Sequence, residues 1–265
     1  MYVDSHCHLS FPELSENLAE IRAAMAAAQV DRALCICTTL EEFDQVHALA
    51  TGYDNFWCSA GVHPDNEGVR EPSVADLLAL AARPRVVAIG ETGLDYFRLN
   101  GRSHADMAWQ RERFRNHIRA ARACALPLVV HTRSASDDTL AILREEGAQA
   151  PGGVFHCFTE TEAVARAALD LGFCISFSGI LTFKTAQALR DVARFVPLDR
   201  CLIETDSPYL APVPFRGRTN SPAYVPFVAQ QIAALKGLTV EAIARATSAN
   251  FERLFKLPEI RTKDA

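Results

Sequence analysis

At 265 residues, 49% of them hydrophobic, the chain is long enough to bury one large core, and α/β barrels of this size commonly form a single domain. A formal net charge of -5 excludes broad, non-specific affinity for a polyanion, so any nucleic-acid contact has to come from a local site. The N-terminus carries no basic segment followed by a long apolar run, and no stretch approaches the roughly 20 uninterrupted apolar residues of a membrane span, which predicts a soluble, unsecreted protein.

In chain order, short β-rich runs lie near 1–5, 32–38, 56–61, 86–90, 127–130, 153–155, 173–177 and 200–204. Between them lie longer stretches with helical spacing: LAEIRAAMAAA, FDQVHALA, VADLLALAA, WQRERFRNHIRAARA, DDTLAILREE, EAVARAALDL and TAQALRDVARF. Two further helices are expected around 222–236 and 239–255. ALCIC, VVAI, PLVVH and CLIE read as strands buried on both faces, because they are nearly continuous apolar runs. Eight strand–helix units predict a (β/α)8 TIM barrel, a single domain over 1–258 with a short polar tail at 259–265. A doubly wound open sheet is the rival, which the unit pattern alone does not exclude.

Nearly every run ends in a residue able to bind a metal or a phosphate. His6 and His8 follow the first run, His63 the third and Glu91 the fourth, while His131, His156 and Asp206 end the fifth, sixth and eighth. In a barrel these ends meet at one rim, where active sites lie. His47, His104 and His117 fall in helical stretches and read as surface or packing residues. Alternation along a strand points His6 and His8 the same way and Cys7 the opposite way.

Imidazole nitrogen and carboxylate oxygen suit zinc, manganese, nickel or iron, whereas magnesium prefers an oxygen-rich site. His6, His8, His131 and His156 with Glu91 and Asp206 are too many ligands for one tetrahedral ion. They suffice for two divalent ions bridged by a carboxylate and a hydroxide, a pair that clamps the attacking and leaving oxygens of a displacement at phosphorus. Each residue alone has a plainer reading. An HxH is often merely hydrogen-bonded, His156-Cys157 lacks the second cysteine pair of a structural zinc site, and Glu91 and Asp206 could cap helices. Six such residues at successive strand ends favour the metal. The eight cysteines are dispersed without a CxxC and read as reduced core thiols of a cytoplasmic protein.

DSHCHL, GVHP, AIGETGLDY, LPLVVHTR, GGVFHCF, ISFSGILTFK, ETDSPYLAPVPFRG and ANFERLF, in this order from about residue 1 to 257, resemble the motif series of the TatD-type metal-dependent deoxyribonucleases of the amidohydrolase superfamily. The likeness is to their bacterial YcfH-like branch. It implies a TIM barrel with two divalent metal ions that hydrolyses DNA phosphodiesters, as a 3′–5′ exonuclease-type enzyme using a metal-bound hydroxide. Carried over by position, it places His6, His8, Glu91 and Asp206 around one metal, with Glu91 bridging to a second held by His131 and His156. It makes Asp206 the group that orients or deprotonates the attacking water, and Glu91 replaces the carbamylated lysine of other families in the superfamily.

The resemblance also suggests substrate-side residues: His63 as a donor to a phosphate oxygen, Lys184 beside the scissile phosphate, and Arg216 and Arg218 as phosphate grips. Tyr96, Phe97 and Tyr209 could stack bases, although packing is the plainer reading for each. Glu204 and Asp4, each two residues before a ligand, are expected to support ligands from behind, Glu204 alternatively Lys184. Ser10, Thr219 and the loop RLNGRSHADM depart from the family pattern near the mouth, where substrate preference is set.

Three functions stay open: a two-metal phosphodiesterase on DNA ends, an amidohydrolase acting on a small cyclic amide, lactone or ester, and a non-catalytic metal-binding barrel. The acidity favours a short single-stranded DNA end over a long duplex as the partner. With no exposed apolar repeat or heptad, the chain is expected to be a monomer without an obligate protein partner.

Overall fold

A computed structural model of the chain describes residues 1–257; the expected tail at 259–265 lies outside them. The chain runs β1 (Tyr2–Cys7), α1 (Pro12–Ser15), α2 (Leu18–Ala27), β2 (Val30–Cys35), α3 (Phe43–Gly52), β3 (Phe56–Ala60), α4 (Val74–Ala81) and β4 (Val86–Asp95). It continues through α5 (Ala108–Cys124), β5 (Leu128–Arg133), α6 (Ser136–Glu145), β6 (Gly153–Phe155), α7 (Glu162–Asp170), β7 (Cys174–Phe177), α8 (Gln187–Phe195), β8 (Cys201–Ile203), α9 (Val225–Lys236) and α10 (Val240–Leu254). The strands form one parallel sheet in sequence order. Beyond the strand ends, β1 and β8 meet through a Cys7–Ser207 bridge, with Asp206 N–H donating to His6 O at 2.9 Å and His8 N–H to Ser207 O at 2.8 Å. The sheet is therefore a nearly closed TIM barrel, and the open sheet is excluded. Among the described residues no helix is long and apolar enough to cross a membrane.

Closure also explains where the chemistry lies. One end of the barrel is filled by Val3, Leu34, Val87, Val129, Val154 and Leu202, and α10 seals it with Phe251 and Phe255. Asn250 on the same helix donates to the Leu198 and Cys201 carbonyls at 2.7 and 2.8 Å, which gives ANFERLF its packing role. Further along the strands the lining turns polar: Ser5 Oγ lies 3.1 Å from Ser176 Oγ, and Ser59 Oγ accepts from Cys37 N–H. The ionisable residues sit beyond this layer, at the C-terminal strand ends.

Two differences from the expected strand ends, those of β4 and β8, bear on the site. β4 continues past residue 90 to Asp95 because Gly93, paired with His131 of β5, lets the two backbones approach. A Cβ on Gly93, whose φ is +133°, would stand 1.9 Å from the His131 carbonyl oxygen. β8 stops at Ile203, so Glu204 and Asp206 do not share a strand face. Asp206 instead takes a left-handed turn at φ +58°, a conformation that Asp tolerates better than most residues.

Three polar residues of α5 lie on one buried face at the spacing i, i+3, i+7: Gln110, Arg113 and His117. His117 is held as a neutral ring: Nδ1–H donates to the Arg113 carbonyl at 2.8 Å, and Nε2 accepts from Val62 N–H at 3.0 Å. Burial pushes its pKa down to about 4. A depressed histidine pKa means that the unfolded chain binds the extra proton, so stability falls as pH drops from about 6.5 towards about 4. The loss amounts to about 3 kcal/mol at most. Urea unfolding of wild type and His117→Gln at pH 7.5 and 5 should show a smaller acid loss in the variant.

Candidate metal centre

At the mouth of the barrel, Glu91 lies buried between two sets of imidazoles. Its Oε2 faces His6 Nε2 at 3.2 Å and His8 Nε2 at 4.0 Å, and Asp206 Oδ1 completes this half, 3.6 and 3.3 Å from the same nitrogens. Its Oε1 faces His156 Nε2 at 2.8 Å, His63 Nε2 at 3.3 Å and His131 Nδ1 at 3.4 Å. One carboxylate thus serves two clusters with different oxygens. The His6 and His156 rings stack at 3.9 Å and hold the halves together.

The donor set fits divalent cations. His6 Nε2 and His8 Nε2 lie 3.3 Å apart, and His131 Nδ1 and His156 Nε2 3.4 Å apart, so lone pairs crowd unless a proton or a metal lies among them. Three sets of site atoms (His6, His156 and Asp206; His6, His8 and Glu91; His63, Glu91 and His131) converge closely enough to hold an ion. Among the described residues no Lys or Arg pairs with Glu91 or Asp206. Burial pushes the Glu91 carboxyl up, but the charges of His156, His63 and His6 and the hydrogen bond from His131 outweigh it and hold it well below the usual carboxylate range. Burial likewise pushes His156 down, and Glu91 and Glu204 more than reverse this. The pocket draws positive charge to its centre.

The residues behind the site set the tautomers. His131 Nε2 lies 3.0 Å from Asp95 Oδ2, and His156 Nδ1 3.3 Å from Glu204 Oε1. With its outward nitrogen so engaged, each ring can give its other nitrogen to the centre, as a proton donor to Glu91 when charged and as a lone pair when neutral beside a cation. His63 is the reverse. Its Nδ1 accepts from Asp65 N–H at 3.0 Å, so its Nε2 carries the proton and points a donor at the same centre.

All six residues expected as ligands come together, and His63 joins them more closely than a place on the rim implied. Glu204 supports His156, not Lys184, and also accepts from Cys157 N–H at 2.6 Å. Asp4 acts on backbone: Oδ1 accepts from His6 N–H at 3.2 Å and Thr205 N–H at 2.9 Å, and burial pushes its pKa up to about 8. Lys184, Arg216 and Arg218 are exposed and make no hydrogen bond or ion pair with the cluster, and the Arg216 guanidinium lies on the Phe183 ring at 3.5 Å. Tyr96 is buried and donates to Asp138, whereas Phe97 and Tyr209 are exposed, Tyr209 at 6.5 Å from the His8 ring.

Asp95 was missed by the sequence reading, although ETGLD places it four residues after Glu91 on the same strand. Gln110 secures it by accepting from Asp95 N–H at 3.0 Å and donating to Asp95 O at 3.1 Å. The side chains of His63, His131 and Asp206 are 19, 18 and 15% exposed against 5% or less for His6, His8, Glu91 and His156, so the centre opens on their side.

Known proteins share this frame. The chain is 49% identical over 263 residues to the uncharacterized metal-dependent hydrolase YcfH of Escherichia coli K12, covering 98% of this chain and 97% of that one. It is 37% identical over 258 residues to the 3′-5′ ssDNA/RNA exonuclease TatD of Cronobacter turicensis, covering 95% and 97%. The crystal structure of the TatD homolog YjjV from Escherichia coli K12 superposes with a TM-score of 0.89 at 29% identity, over 97% of this chain and 98% of that one. The family model described as TatD related DNase matches residues 3–256, and the chain belongs to that family.

Proposed function

We propose that the chain is a metal-dependent hydrolase that cleaves phosphodiester bonds at the ends of single-stranded DNA, stepwise from the 3′ side. The observation that carries this reading is the division of Glu91 between two nitrogen clusters through its two oxygens. Membership of the family and the name of the Cronobacter relative support nucleic acid as the substrate. In this reading His6, His8, Glu91 and Asp206 would hold one divalent cation, and Glu91, His131 and His156 would hold another. The nitrogen-rich set favours zinc, manganese, nickel or iron over magnesium. When bound, the cations supply Lewis acidity and lower the pKa of a water beside them.

The chain's own groups do the rest. Asp206 stands at the open side and takes the proton of the attacking water. His63 Nε2–H donates to an oxygen of the scissile phosphate as its charge grows. Lys184, Arg216 and Arg218 grip phosphates further along the strand, and Tyr209 offers a base a stacking face. Every one of these groups comes from a single chain, so the proposed chemistry needs no residue from a second copy.

The test is direct. After chelation, a 5′-labelled single-stranded oligonucleotide should stay intact, and adding Mn or Zn ions should restore a ladder shortening from the 3′ end. Intact DNA under every metal would refute the reading, and turnover of a small cyclic amide instead would make the protein an amidohydrolase.

Asp95→Asn probes the ligand tautomer. Phe97 N–H donates to Asp95 Oδ1 at 2.9 Å, which would keep the amide oxygen there and turn its NH2 on His131 Nε2. That nitrogen then has to accept, and Nδ1 carries its proton into the centre. Metal affinity should fall by about 10- to 100-fold, measured by competition with a chromogenic chelator.

A further inference from the structure

The loop that delivers His63 is held from outside the site by α5. Val62 N–H donates to His117 Nε2, and the Arg113 guanidinium donates through Nη1 to the carbonyls of His63 and Asn66, both at 2.8 Å. Arg113 is buried although it belongs to a surface helix. Its Nε donates to Glu71 Oε2 at 2.8 Å, its Nη2 pairs with Glu71 Oε1, and its guanidinium stacks on Trp109 at 4.8 Å. The two side chains are also tied to each other, because His117 Nδ1–H donates to the Arg113 carbonyl. Asn66 Nδ2–H donates to Thr38 O at 2.9 Å and closes the far side of the loop.

α5 therefore holds the loop at the backbone of Val62, His63 and Asn66, and within the loop the Asp65 N–H sets the tautomer of the His63 ring. A loop free to turn would lose that N–H contact, and the ring could then present either nitrogen. Burying a guanidinium is costly unless it is fully hydrogen-bonded, and its bonds to the two carbonyls are spent on this loop.

We propose that Arg113 and His117 are positioning residues that hold His63 as a single-tautomer hydrogen-bond donor aimed at the substrate side of the centre. Neither touches a proposed ligand, and both act through the backbone of the GVHP loop. The kinetic part rests on the phosphodiesterase reading, whereas the tautomer part does not.

The experiment compares wild type with His63→Ala, Arg113→Met, His117→Gln and the double variant His63→Ala/Arg113→Met. The probe is bis(p-nitrophenyl) phosphate with Mn ions, and thermal midpoint and metal content are recorded for each. His63→Ala should lower kcat on the order of 100-fold with little change in KM. Arg113→Met should lower kcat about tenfold at unchanged metal content. The double variant should be no slower than His63→Ala, because the clamp acts only through that ring. His117→Gln keeps an acceptor for Val62 N–H and should keep most of the activity.

The second readout is the ring-nitrogen correlation spectrum of His63 in the metal-free full chain. Wild type should show the Nε2–H tautomer alone, and Arg113→Met should show mixed tautomers. Additive kinetic losses in a folded double variant, or an unchanged tautomer in Arg113→Met, would overturn the proposal. If Arg113→Met fails to fold, Arg113→Lys, which keeps the charge but loses the two-point pairing with Glu71 that aims the group at the loop, takes its place under the same criteria. An inactive wild type would refute the phosphodiesterase reading, and the tautomer spectrum would still decide the clamp.

Discussion

Replacing Glu91 with alanine should abolish turnover, by at least about a thousandfold in kcat, while leaving the fold in place. The magnitude follows from what the side chain does at once. Its oxygens are the shared contact of His6, His8, His63, His131 and His156, so its loss separates the two halves of the centre. Lewis-acid stabilisation of the transition state is worth several kcal/mol, and each 1.36 kcal/mol is about a factor of ten. The fold should persist because imidazoles can discharge by losing a proton, unlike a buried arginine. Glu91→Gln should be nearly as damaging, since its NH2 would point hydrogens into one cluster. Metal content by plasma emission, with circular dichroism as the control for folding, checks both variants. An alanine variant that keeps the wild-type metal content and turnover would remove Glu91 from the mechanism.

Gly93→Ala should be the most damaging substitution of a single methyl group in the barrel. The new Cβ would lie 1.9 Å from the His131 carbonyl oxygen, at a φ of +133° that side chains rarely adopt, and both partners are backbone in paired strands. Strain and overpacking together cost roughly 3–5 kcal/mol. For a chain of this length that lowers the thermal midpoint by about 10 °C. Any folded remainder should also bind metal less well, because relief of the clash displaces His131. Gly101→Ala is the control: φ is +84° there but nothing lies within 4 Å of the added Cβ, so only about 1 kcal/mol is expected. Equal thermal midpoints for the two variants would show that the β4–β5 approach is not a stability constraint.

Much of the fold was legible because its elements carry strong local periods. FDQVHALA marks a helix observed over Phe43–Gly52, and PLVVH and CLIE mark the cores of β5 and β8. The candidate ligands were legible because histidines and carboxylates recur at successive strand ends, and a barrel collects its strand ends on one rim. What escaped is polar and lies inside amphipathic or glycine-broken stretches. Asp95 hid beyond the expected strand end at residue 90, because the continuation to Asp95 through Gly93 shows only once the partner backbone is seen. Gln110, Arg113 and His117 sat in a helix dense with arginine, where one buried stripe looks like any other charged face.

The sequence by itself determined which side chains can meet: alternation of strand and helix dictates a parallel sheet with its strand ends on one side, and residue type at each strand end makes that side rich in nitrogen and carboxylate. Only the tertiary structure decided how they face one another. That Glu91 divides its oxygens, that Asp95 and Glu204 hold the outward nitrogens of His131 and His156, and that α5 holds the GVHP loop all depend on contacts between residues far apart in the chain. The physical reason is range: backbone periodicity is encoded among near neighbours, whereas a tautomer is set by whichever group the fold brings within about 3 Å of the ring.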